Sequence, residues 1–79
     1  MANLTLYYQS GCPYCMLVFK YMRENGISIP LRNIYEHPRI REELIKIGGK
    51  TQVPCLVIDG KALYESLDII DWLTTNFKK

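Results

Sequence analysis

The sequence predicts an α/β protein with element order β-α-β-α-β-β-α, a mixed four-stranded sheet and helices on both faces. Three observations predict it. Two stretches of strand character flank a helical one near the start, and such a strand–helix–strand unit runs parallel with a right-handed crossover. Later, an apolar run of strand length meets Asp59-Gly60, the strongest short hairpin signal in the chain. Helical periodicity then returns after the hairpin.

The elements follow in order. "NLTLYY", residues 3 to 8, alternates and is rich in strand formers. Gln9-Ser10-Gly11 reads as a turn. From Pro13 to about Asn25 the pattern is helical, with Leu17, Val18, Tyr21 and Met22 on one stripe and Gly26 as the stop. "ISIPLRNI" reads as a second strand, and Pro30 puts it at an edge or delays its pairing. In "HPRIREELIKIGG", Pro38 suits a first helical turn, Ile40, Leu44, Ile45 and Ile47 form the stripe, and Gly48-Gly49 ends it. "VPCLVID" reads as a buried strand and "KALY" as its hairpin partner. "ESLDIIDWLTTNF" is the closing helix, with Leu67, Ile70 and Leu73 on one face and Ile69 and Trp72 widening it.

Bulk properties narrow the function. The chain of 79 residues is expected to form one domain, 1–79. A net charge of +2, with basic residues spread along the chain, argues against nucleic acid. Lys78-Lys79 is the basic pair and reads as a solvated end. The first ten residues lack the pattern of a secretory signal, and no apolar run reaches the ~20 residues that span a membrane. The expectation is a cytoplasmic protein with no membrane partner. Three cysteines exclude a fully paired disulfide framework.

The chemistry lies in "GCPYC", where Cys12 and Cys15 stand at the junction from the first strand into the first helix. A zinc site needs about four ligands, and Cys12, Cys15, Cys55 and His37 match no usual spacing, so no metal is expected. A structural disulfide across so short a loop would restrict little chain entropy. A working redox pair has positive support. Cys12 falls at the helix start, where free N–H groups and the helix dipole favour a sulfur anion. Cys15 lies one turn deeper on the same face. The outer sulfur attacks and the inner one resolves.

With these residues in hand, the chain resembles a dithiol glutaredoxin over nearly its whole length. "CPYC" is that family's active-site sequence, and "TQVPC" resembles its Thr-Val-Pro segment, with Gln52 in place of threonine. "YESLDI" departs from the family's Gly-Gly and looks like the Glu-Ser of glutathione transferase N-terminal domains; Asp68 fits the glutaredoxin Asp. Gln9 and Tyr8 stand where glutaredoxins commonly carry a Lys or Arg before the first cysteine.

The resemblance implies a thioredoxin fold with a cis-proline at Pro54. It also implies a monomeric, glutathione-dependent thiol–disulfide oxidoreductase of electron transport and cell redox homeostasis. Its partners would be glutathione, as co-substrate, and glutathionylated or disulfide-bonded proteins, with no bound cofactor. Cys12 and Cys15 would be catalytic. Tyr14, Arg41, Val53, Pro54, Glu65, Ser66 and Asp68 would hold glutathione. The alternatives are an electron donor served by thioredoxin reductase, and a non-enzymatic glutathione-binding or iron–sulfur-carrying module. Glu65 and Ser66 could instead merely cap the last helix, His37 reads as a residue near a helix start, and Cys55 as a small inert hydrophobe.

Overall fold

The computed structural model describes residues 3–77; Lys78 and Lys79 lie outside them. The elements are β1 (Leu4–Tyr8), α1 (Pro13–Glu24), β2 (Leu31–Asn33), α2 (Pro38–Gly48), β3 (Cys55–Ile58), β4 (Lys61–Tyr64) and α3 (Ser66–Asn76). The sheet order is β2-β1-β3-β4. β1 runs parallel to β2, with Leu6 opposite Leu31, and antiparallel to β3, with Leu6 opposite Leu56. β3 and β4 form the expected hairpin around Asp59-Gly60. This is the mixed sheet that the sequence predicts, in the thioredoxin-like arrangement that the resemblance implies.

The pleat sorts the core into two halves, because alternate residues of a strand face opposite sides. Leu6 and Leu56 join Val18, Met22, Ile29, Ile69 and Leu73 under α1 and α3. Tyr7, Cys55 and Val57 join Ile34, Ile40 and Leu44 under α2. Helices therefore cover both faces.

Three stripes differ from the sequence expectation. α1 buries Cys15, Val18 and Met22, whereas Leu17 is exposed. α3 buries Ser66, Ile69 and Leu73; Leu67 is exposed, and Ile70 and Trp72 are half-buried against the core. The two helices share one spacing, i, i+3, i+7, so a residue one step from it is turned about 100° away from the sheet. On α2, Ile40 and Leu44 are buried while Ile45 and Ile47 are exposed, since that helix is alone on its face.

Two further readings are refined. β2 is three residues long and lies at the sheet edge, and the Pro30 carbonyl accepts from the Leu6 amide at 2.9 Å. Glu43 of α2 is also tied to the sheet. Glu43 takes two bonds from Arg32, at 2.9 and 3.0 Å, and one from the Tyr7 hydroxyl at 3.3 Å. His37 is the N-cap of α2, its Nδ1 accepting from the Arg39 amide at 3.1 Å. No helix among the described residues is long and apolar enough to cross a membrane.

Candidate active site

The turn from β1 into α1 presents the cysteines. Gly11, at φ +81°, takes the left-handed conformation that glycine adopts without a Cβ penalty. The Gln9 carbonyl accepts from the Cys12 amide at 3.3 Å, closing the turn. Ser10 is tied to the edge strand by the Asn33 side-chain amide, at 2.9 Å. Cys12 is the N-cap of α1 with extended backbone, no side chain caps the helix, and Pro13 opens it. Pro13 has no N–H to leave unsatisfied there.

The two sulfurs are unequal. Cys12 is half-buried and Cys15 is buried, at 1% exposure; both are free thiols. Burial pushes the Cys15 thiol up to about 11, and contact with the Cys12 thiol adds to the rise while the Gln9 amide opposes it. At neutral pH, Cys15 is therefore a protonated, shielded partner directly beside Cys12. Cys55, fully buried after Pro54, is also pushed by burial to about 11, with the Leu63 backbone and the Tyr64 hydroxyl opposing the rise. That accords with an inert hydrophobe.

Beside the head of α1 runs an open groove of about 710 Å³, lined by Tyr14 and Leu17 on one side and by Gln52, Val53, Pro54, Glu65, Ser66, Leu67 and Asp68 on the others. The Val53–Pro54 peptide bond is cis, as the resemblance implies. Among the described residues, the amide and carbonyl of Val53 make no backbone hydrogen bond, so both can pair with an extended ligand. α3 begins at Ser66 in the groove wall, and its N-cap, Glu65, makes no side-chain capping bond. Its first-turn N–H groups thus remain available to an anion. The simple capping reading of Glu65 has no bond to support it.

Glu65 holds φ +72°, a conformation that costs a non-glycine residue roughly 1–3 kcal/mol and that concentrates at ligand sites. Its carboxylate accepts from the Gln52 side-chain amide at 2.8 Å. Of the residues expected to hold glutathione, Tyr14, Val53, Pro54, Glu65, Ser66 and Asp68 line this one groove. Arg41 is exposed on α2 and is not among the lining residues. Sequence reasoning passed over Gln52, Leu17 and Leu67 as groove residues. The helical spacing of the buried sets held the signal for both leucines, since each lies one position off the core line. No group of three or more His, Cys, Asp or Glu side chains that could hold a metal occurs among the described residues.

A four-stranded mixed sheet, three helices and a cysteine pair at the head of the first helix define a thioredoxin-like domain. Comparison with known proteins narrows the class. Residues 6–79 match the glutathione S-transferase N-terminal domain family. Glutaredoxin 3 of Escherichia coli strain K12 is 36% identical over 61 residues, which cover 77% of this chain and 74% of that protein. Glutathione transferase Omega 3C from Trametes versicolor superposes over 98% of this chain with a TM-score of 0.83 and 28% identity, although the chain spans 34% of that transferase. A thioredoxin-like protein superposes at a TM-score of 0.78 over 95% of this chain and 94% of its own, and at 23% identity it shows the shared fold. The chain belongs to the glutathione S-transferase N-terminal domain family and is a homologue of glutaredoxin 3.

Proposed function

We propose that this domain is a glutathione-dependent thiol–disulfide oxidoreductase working in the cytoplasm through Cys12 and Cys15. The observation that carries the reading is the half-buried Cys12 above a buried Cys15, at an uncapped helix head beside a groove with a second uncapped helix. Homology to glutaredoxin 3 supports the same class of chemistry.

The Cys12 thiolate attacks the glutathione sulfur of a protein–glutathione disulfide. A Cys12–glutathione disulfide forms and the protein leaves as a thiolate that takes up a proton. A second glutathione thiolate attacks the glutathione sulfur of that intermediate, releasing oxidised glutathione and restoring the Cys12 thiolate. With a protein disulfide, Cys12 breaks the S–S bond and forms the mixed disulfide with one protein sulfur, while the other leaves as a thiolate that takes up a proton. Cys15 then gives up its proton and attacks Cys12, closing the Cys12–Cys15 disulfide and releasing the second protein thiol. The shielding of Cys15 suits this order, because the sulfur within its reach is that of Cys12 itself, and the substrate sulfur bonded to Cys12 is the one that leaves.

Glutathione lies in the groove as co-substrate, and no bound prosthetic group takes part. Its cysteinyl peptide pairs with Val53, its γ-glutamyl carboxylate meets the head of α3, and its ammonium meets Glu65 and Asp68. Arg41 is the proposed partner of its glycyl carboxylate.

A coupled assay tests the proposal. NADPH consumption with glutathione and glutathione reductase should far exceed that with thioredoxin reductase alone. The reverse ratio would favour the thioredoxin-reductase-served donor. Failure with both reductants, in a protein coloured after anaerobic purification, would favour the cluster-carrying module.

A further inference from the structure

We propose that Gln52 is a positioning residue for the γ-glutamyl end of the ligand, acting through Glu65; the inference rests on the glutathione reading above.

Gln52 and Glu65 are the two places where the groove departs from the glutaredoxin pattern, and the structure shows that they bond to each other at 2.8 Å. Gln52 precedes Val53 in the segment leading into β3, and Glu65 precedes α3, so their bond ties together the wall that pairs with the peptide and the wall that faces the γ-glutamyl group. Glu65 has the +72° φ of a strained residue, and such a conformation persists only where its surroundings hold it. The amide of Gln52 supplies that hold. It does so without cancelling charge, since a neutral amide occupies Oε1 and no other bond to the carboxylate occurs among the described residues. Oε2 is then left for the ligand. The groove lining contains Glu65 and Asp68 and no cationic side chain, so this end of it recognises an ammonium. A lysine at position 52 would bring a cation to that end, where Gln52 brings a neutral donor.

The experiment is calorimetric titration of the whole chain with S-methylglutathione, which cannot undergo thiol exchange, and with its analogue lacking the α-amino group. The wild-type protein should bind S-methylglutathione about tenfold more tightly than the analogue. Gln52→Ala should lose most of that discrimination by weakening the amino-bearing ligand and leaving the analogue nearly unchanged. Gln52→Thr should behave as Gln52→Ala. In a Glu65→Gln background, Gln52→Ala should have little further effect, because the positioned charge is already gone. If the wild-type protein binds neither ligand, the glutathione reading fails and the positioning role falls with it. If it binds and discriminates, but both Gln52 variants keep the same ratio or act additively with Glu65→Gln, glutathione binding stands and the role of Gln52 is overturned.

Discussion

The hydroxyl of Tyr64 occupies the space that a side chain on Gly48 would need. A Cβ at Gly48 would run into that hydroxyl and come within 2.7 Å of the ring carbon Cζ. Tyr64 is fixed there by a hydrogen bond to the Lys50 carbonyl at 3.2 Å and by the Lys50 ammonium 4.5 Å over its ring. Gly48 closes α2 and Tyr64 closes β4, so this contact seats the end of that helix on the edge of the sheet.

Gly48→Ala should therefore destabilise the protein. Alanine is the better helix former by up to about 1 kcal/mol, but overpacking against a held ring costs about 1–3 kcal/mol and wins. Urea denaturation of Gly48→Ala, Tyr64→Leu and the double variant checks this. The double variant should be more stable than the two single losses added together. A stabilised Gly48→Ala would show that the ring moves freely.

Cys12→Ser should abolish thiol transfer, since it removes the accessible sulfur. Cys15→Ser should keep deglutathionylation and lose most reduction of protein disulfides. Turnover with a glutathionylated peptide and with a protein disulfide separates the two activities. Substantial activity in Cys12→Ser, with none in Cys15→Ser, would reverse the roles.

Thiol counting by mass spectrometry should find one cysteine alkylated quickly by iodoacetamide in the native reduced protein at pH 7.5, and three in denaturant. Cys15 and Cys55 are at most 1% exposed and are held near 11, so neither offers an appreciable thiolate at that pH. Rapid labelling of Cys55 would contradict its burial.

Alkali should unfold the protein sooner than acid chemistry alone suggests. A thiol whose folded value lies near 11, against an ordinary 9, contributes stability that is complete below pH 9 and is lost as pH rises through 11. Burial raises Tyr7 and Tyr64 as well, which acts in the same direction. Stability should fall by about 1–3 kcal/mol per buried thiol across that window. Cys55→Ala should be less stable at pH 7 through lost packing and should show a shallower alkaline fall. Urea midpoints at a series of pH values give both slopes, and equal slopes would mean that Cys55 ionises without hindrance in the fold.

Asp68→Ala should raise the KM for glutathione by about tenfold or more, the equivalent of losing a charge-assisted contact of about 1.5–3 kcal/mol. Its alkylation by iodoacetamide should change little, because Asp68 lies in the groove wall formed by α3. An unchanged KM would leave Asp68 with no part in binding.

Much of this was legible in the residues. The strand–helix–strand opening, the Asp59-Gly60 hairpin and both glycine stops, Gly26 and Gly49, are local signals. The structure bears them out, with φ of +64° and +83° at the two glycines. CPYC at a helix head placed the cysteines correctly for the same reason. What the sequence hid was rotational and long-range. Leu17 and Leu67 belong to helices by periodicity, yet which side meets the sheet depends on how each helix is docked. The Gln52–Glu65 and Arg32–Glu43 bonds join residues of different segments, 13 and 11 positions apart, and composition gives no hint of such pairs.

The place of β1 in the sheet has a consequence for how the molecule is made. It precedes the other three described strands in the chain and is an inner one, so its neighbours are made after it: Leu6 waits for Leu31 on one side and for Leu56 on the other. Loop closure over such separations slows assembly relative to a protein built from neighbouring contacts. A growing chain leaves the ribosome with Cys12 and Cys15 already exposed to solvent, while the segments that shelter Cys15 and shape the groove are still to be made. During that interval neither sulfur is distinguished from the other. The nascent chain is thus open to wrong pairing, and the inequality of the two thiols is acquired only when the fold closes around Cys15.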